Sequence, residues 1–394
     1  MSKFESVLNN LKLRKQRAEN GLYNCIPLAF PRFKMLLPGT EMAKFIVVTA
    51  SQKIGKSKLS DFMYVYEPLF FMMEHPELKV KVQYFTLEIS PIEKYNEFLC
   101  HLLYRLDGIE IDTKRLKSVD KDNPVDSHIF ELLQSDKYRP YIEKFEEMVE
   151  YIGDIRNPTG INKKCREYAL NNGHLNFKTI TVKDELGIES ERQVIDEMNP
   201  YTPDDPEEYR IVIVDNANNL SSESNLDKMK TIEKLAKYGI TLRDQLKYIF
   251  VLIQHQAQAQ EGIENQKLNR LKPSSDGLAD CKTTTRDANL VIGLYSPFKY
   301  GIREYEGYDI TKLRNNVRFM EVIEDRDYGA NGQVCPLYFD GATSFFSELP
   351  RAGNKEEMDK VYSFVSARQQ RYKSSKSFFM YSIRKIIRWV RNNK

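Results

Sequence analysis

The amino-acid sequence predicts an α/β fold with a mostly parallel central sheet and helices on both faces. Short apolar runs at 44–49, 79–87, 209–215, 248–253 and 289–295 read as buried strands. Stretches with helical spacing lie between them, as the crossovers of a parallel sheet require. With 394 residues, 41% hydrophobic and 29% charged, the chain can supply the core of such a fold.

The elements follow in order. Residues 4–19 place Phe4, Val7, Leu8 and Leu11 at helical spacing with a basic opposite face. Pro27, Pro31 and Pro38 make 21–38 extended or looped. The strand at 44–49 runs into a loop and a helix near 57–73. The strand at 79–87 ends at Glu88, and Ser90-Pro91 opens another helix. Residues 105–208 are charged and rich in tyrosine, with helices expected near 140–153 and 162–172 and a surface loop at 200–208. A strand at 209–215, a helix near 225–245 and a strand at 248–253 come next. The strand at 289–295 and a strand pair near 316–324 and 333–340 close the fold. Residues 351–378 read as a linker to a basic amphipathic helix, with Phe379, Ile383, Ile386, Ile387 and Val390 on one face and Arg384, Lys385, Arg388 and Arg391 around it. These readings divide the chain into a helix at 1–21, a main domain at 22–348 and a tail at 349–394.

Composition narrows the class. No apolar run approaches the roughly 18 residues of a membrane span, and the N-terminus lacks the pattern of a secretory signal. Cys25, Cys100, Cys165, Cys281 and Cys335 are odd in number and scattered, which points to a reducing cytosol and away from a disulfide framework or a zinc site. The net charge of +3 is small, but residues 367–394 hold nine Lys or Arg and no acid.

Ala50, Ser51, Gln52, Lys53, Ile54, Gly55, Lys56 and Ser57 match GxxxxGK[ST] with alanine at the first glycine. The segment follows a strand and precedes a helix, so backbone N–H groups through Lys58 would cradle phosphates at a helix N-terminus. Lys56 would neutralise the β- and γ-phosphates of ATP, and the Ser57 hydroxyl would join a Mg²⁺ shell. Asp215 ends the strand at 209–215, at the edge where open α/β sheets bind ligands, and is the second candidate for Mg²⁺. Asn216 stands where many ATPases carry a glutamate. Glu88, ending the preceding strand, is therefore the candidate base.

These motifs, in this order, resemble the motor domain of DnaB-type replicative DNA helicases, especially the divergent versions of tailed, crAss-like bacteriophages. The resemblance covers about 22–346. It includes Cys25-Ile-Pro27, the Pro38-Gly39 turn, the phosphate loop, 85–90, 211–215, 251–256, Asp276 with 286–291, and 321–326 with 334–339. It implies a RecA-like P-loop NTPase fold, ATP and Mg²⁺ as cofactors, single-stranded DNA as substrate and a homo-hexameric ring. A primase or loader would be the partner, in a bacterial cytoplasm if the protein is phage-encoded. It also implies that Gln254 senses the γ-phosphate and that Arg326 reaches the ATP of a neighbouring subunit. Glu324 stands where the family usually has a lysine. Helix 4–19 takes the place of the separate N-terminal helical domain of bacterial relatives and would pack on the next subunit.

In such a ring DNA would meet 218–225 and 256–275, where Lys267, Arg270 and Lys272 could bind phosphate. The competing readings are a RecA-like recombinase or another DNA-dependent ATPase, and a nucleotide-gated DNA clamp or loader with little turnover. The tail helix could dock on the protein's own body, a partner, a membrane surface or DNA.

Overall fold

The computed structural model describes residues 3–374 apart from 184, 186–188 and 269. The basic helix expected around residues 379–391 lies outside the described residues.

Nine strands form the central sheet: β1 (Lys44–Ala50), β2 (Lys79–Thr86), β3 (Val149–Ile152), β4 (Glu208–Asp215), β5 (Ile249–His255), β6 (Leu290–Tyr295), β7 (Val317–Asp325), β8 (Val334–Asp340) and β9 (Phe345–Glu348). Their spatial order is β9-β8-β7-β6-β1-β5-β4-β2-β3. The six strands from β6 to β3 run parallel. The last three strands in sequence are antiparallel extensions of that sheet.

Side chains alternate across the sheet, so each parallel strand serves two cores. Ile46, Val48, Ile211, Ile213, Val251 and Ile253 pack with Leu59, Leu69, Phe98, Leu103 and Phe145 on one face. Those partners come from α2 (Lys56–Asp61) and its continuation to Glu74, from α3 (Pro91–Asp107) and from α4 (Arg139–Met148). Phe45, Val47, Val212, Val214, Phe250 and Leu252 face the other way. There they meet Ile161 and Cys165 of α5 (Pro158–Asn171) and Ile232, Leu235 and Leu242 of α6 (Lys228–Leu246). Helices cover both faces, as the sequence predicts.

Local chemistry sets several element starts. Ser90 caps α3 by accepting from Glu93 N, with Pro91 in the first turn. Asp227 caps α6 by accepting from Lys230 N at 2.8 Å. Three regions depart from expectation. The helix near 140–153 stops at Met148, and Val149–Ile152 becomes edge strand β3, because Val82 to Phe85 of β2 offer an open parallel edge. Within 105–208, strands Phe177–Lys183 and Glu189–Ile195 form an exposed antiparallel hairpin. The segment read as a linker carries α7 (Lys355–Ser374). Met358, Val361 and Val365 of α7 are buried, and Arg368 pairs with Asp340 at 2.6 Å and Glu110 at 2.8 Å. Composition alone hid this helix, since its anchors lie far away in sequence.

Gly239 marks the closest approach of α6 to the sheet, for a Cβ there would lie 2.7 Å from the Phe250 ring. Helix propensity by itself predicts a gain of about 1 kcal/mol for Gly239→Ala. Overpacking against a fully buried ring reverses the sign, with a net loss of about 1–2 kcal/mol expected in thermal or urea unfolding. An unchanged or higher Tm would mean that α6 is free to shift away from β5.

Candidate functional site

The parallel strands bring β1, β2, β4 and β5 to one sheet edge with matching register. His255 pairs with Ala50, and Asp215 pairs with both Thr86 and Ile253. The C-terminal strand ends therefore share one crevice, the usual ligand edge of such sheets.

Ala50 is the last residue of β1, fully buried, and has no left-handed backbone, so a side chain is tolerated where related loops have glycine. Gly55 cannot be replaced so easily. Its φ is 105°, and a Cβ would sit 3.2 Å from the Phe339 ring. The loop is braced from outside by Arg318, whose Nε donates to Ile54 O at 2.6 Å while its guanidinium lies 4.4 Å over Phe339. Burial pushes the Arg318 guanidinium down to about 9. Lys299 Nζ donates to Gln52 O at 3.1 Å.

Lys56 opens α2 and is buried. Burial holds its ammonium below the ordinary lysine value, while Asp215 and Glu88 oppose that shift. Ser57 Oγ donates to Asp215 Oδ1 at 2.9 Å. A hydroxyl and a carboxylate oxygen converging in this way are the hard oxygen donors that Mg²⁺ accepts beside phosphates. Lys58 turns elsewhere, to Glu97 at 3.1 Å and Ser344 at 3.0 Å.

Glu88 is exposed at the crevice rim and accepts from Asn216 Nδ2 at 2.6 Å. Asn216 thus holds the acid that it does not itself supply. Its Nδ2 also lies 3.2 Å from His255 Nε2. Burial and the nearby Lys56 keep His255 below its ordinary value, so it is neutral at pH 7. Its Nδ1 is buried and finds no hydrogen-bond partner among the described residues.

Gln254 is not brought to the phosphate loop. It projects to the opposite face of β5, where Nε2 donates to Ala279 O and Cys281 O, both at 2.7 Å, and Oε1 accepts from Thr284. Strand alternation puts His255, one residue on, at the crevice instead. The sequence names the right strand end but not the side chain that faces the site.

Arg326 follows β7 and lies at the other sheet edge. Asp325 pairs with Leu290, which pairs with Ile46 near the start of β1. Arg326 is exposed there, with one guanidinium N–H donating to Arg286 O. It cannot serve the phosphate loop of its own chain. Glu324 accepts from the Ser275 hydroxyl.

Three residues at the crevice carry no signal in any motif. Tyr84 OH donates to Asp215 Oδ2 at 3.0 Å. Lys94 Nζ lies 3.5 Å from that same oxygen and 2.7 Å from Asp61 Oδ2. Tyr84 has the strand parity of Asp215's neighbours, which sequence could suggest; Asp61 and Lys94 are linked only by packing.

The loops predicted to meet DNA leave β4 and β5 at this edge. The first is pinned: burial alone would raise Glu223, yet bonds from Lys234, Thr159 and Asn157 bring it down to about 2. In the second, Glu261 accepts from Tyr300 OH at 2.8 Å and interacts with Ser51 of the phosphate loop. Arg270 is exposed, and Lys267 ends the short helix Ile263–Lys267. Lys272 is already engaged, 5.3 Å over the Tyr305 ring and 3.7 Å from Glu321.

Fold and crevice together define a RecA-like P-loop architecture. Solved structures similar to this chain include a helicase ATPase domain, with TM-score 0.58 and 13% identity over 87% of this chain and 99% of that one. A DnaB-like replicative helicase, solved to describe its interactions with primase, aligns with TM-score 0.57 and 14% identity over 87% of this chain and 66% of that one. At these identities the likeness establishes the fold. No protein-family model and no curated protein sequence matches the chain.

Lys56→Ala should weaken binding of a fluorescent nucleotide at least tenfold, about the worth of one charge-assisted contact. Ser57→Ala should instead match the wild type in EDTA and lose most of the tightening that Mg²⁺ brings. Equal loss under both conditions would remove Ser57 from the metal site.

Proposed function

We propose that this chain is the ATP-hydrolysing motor of a ring-forming replicative DNA helicase. Lys56 and the loop amides would hold the triphosphate, with Mg²⁺ on Ser57 and Asp215 supplying charge neutralisation at the phosphates. Glu88, held by Asn216, stands at the rim where it can accept a proton from an attacking water. His255, neutral and polar beside Lys56, takes the phosphate-facing position that the family resemblance assigned to Gln254. Gln254 would instead tie β5 to 279–284, beyond the candidate DNA loop.

The observation that carries the ring is the position of Arg326 at the sheet edge away from its own phosphate loop. An arginine there helps catalysis only at the site of a neighbouring copy. Helix α1 (Lys3–Glu19) supports the same assembly. It buries none of its residues, and Phe4, Val7 and Leu11 are at least half exposed. Arg14 paired with Glu41 and Arg17 paired with Glu207 hold its C-terminal half on the body of the chain, which leaves the apolar stripe for the next subunit. Arg270 and Lys267 are the remaining candidates for strand contact, and a primase or loader is the expected partner.

On a forked duplex with ATP and Mg²⁺, the wild type should separate strands and Lys56→Ala should not. Arg326→Ala should bind nucleotide normally and hydrolyse it about 10³-fold more slowly, the usual cost of losing an arginine finger. Normal turnover by Arg326→Ala would sink the ring mechanism. Hydrolysis on single-stranded DNA without strand separation by any form would reduce the protein to a DNA-dependent ATPase.

A further inference from the structure

Lys94 occupies two positions that disfavour a cation. It lies in the first turn of α3, against the helix dipole, and it is 1% exposed. Three carboxylates offset this: Asp61 Oδ2 at 2.7 Å, Asp215 Oδ2 at 3.5 Å and Glu97 Oε2 at 3.8 Å. Its ammonium also lies 4.9 Å from the centre of the Tyr84 ring, whose hydroxyl donates to the same Asp215 oxygen. The two oxygens of Asp215 therefore have separate surroundings. Oδ2 faces Tyr84 and Lys94 in the interior, and Oδ1 faces Ser57 in the crevice.

We propose that Lys94 is a positioning residue that holds Asp215 Oδ2 inward, so that Oδ1 alone is presented with Ser57 to the Mg²⁺ of a bound nucleotide. A salt bridge serving only to fasten α3 to α2 would need Asp61 and not Asp215. Lys94 also follows Glu88 by six residues on the segment that Glu88 leads into. Its bond to Asp61 thereby ties that segment to the helix of the phosphate loop. The inference rests on the reading of this crevice as a Mg²⁺-nucleotide site.

The test uses the full chain and a fluorescent ADP analogue, titrated in EDTA and in Mg²⁺, with thermal unfolding recorded in parallel. The double variant Lys94→Met with Asp61→Asn removes the cation without leaving its closest carboxylate charged. It should bind as wild type in EDTA and lose about tenfold of the tightening due to Mg²⁺, the scale of one charged contact. Tyr84→Phe removes the other donor to Oδ2 and alters no charge, so it decides the matter if the double variant does not unfold cooperatively. It should lose about threefold of the same tightening. Wild-type Mg²⁺ dependence in Tyr84→Phe and in a folded double variant overturns the proposal, as does equal weakening in EDTA and Mg²⁺. If the wild type shows no Mg²⁺ dependence, the nucleotide reading itself fails and the role of Lys94 goes with it.

Discussion

The contact between Ser57 and Asp215 is the constraint around which the rest of the crevice is organised. These residues lie on elements that are not adjacent, since β5 separates β1 from β4. For them to meet at 2.9 Å, three parallel strands must keep register to within one residue. A slip of one residue would send Asp215 to the other face of the sheet. The carboxylate is also almost fully buried and needs donors on both oxygens. Ser57 supplies one side, and Tyr84 with Lys94 supplies the other.

Around that contact the polar groups divide into those that face the crevice and those that hold it still. Lys56, Glu88, Asn216 and His255 line it. Arg318, Lys58, Lys299 and Glu261 bind the phosphate loop from behind or beside, through Ile54, Ser344, Gln52 and Ser51. The bracing comes from β7, β8 with its following turn, and the loop after β5, all distant in sequence from residues 50–57. Nucleotide at the crevice and motion of 256–275 are thus joined by direct contact at Ser51, not only through the sheet.

Much of this was legible in the residue order. The strand ends at Ala50, Asp215 and His255 followed from apolar runs closed by polar residues, and the GKS segment between strand and helix located the phosphate loop. What the pattern missed had a common origin. The edge strand Val149–Ile152 and helix α7 depend on partners far along the chain, and Gln254 was chosen by position in a motif without the strand alternation that turns it away. The engagement of Lys272 with Tyr305 and Glu321 was equally invisible, because it joins residues more than thirty positions apart.

By itself the sequence determined the class of sheet, the location of the phosphate loop and the identity of its metal-facing pair. Those depend on local periodicity and on residue types with few alternative uses. Only the tertiary structure decided that Lys94 and Tyr84 stand behind Asp215, that His255 rather than Gln254 faces the crevice, and that Arg326 lies at the far edge. Each of these follows from strand order and register, which set the direction of a side chain through contacts that no local stretch of sequence contains.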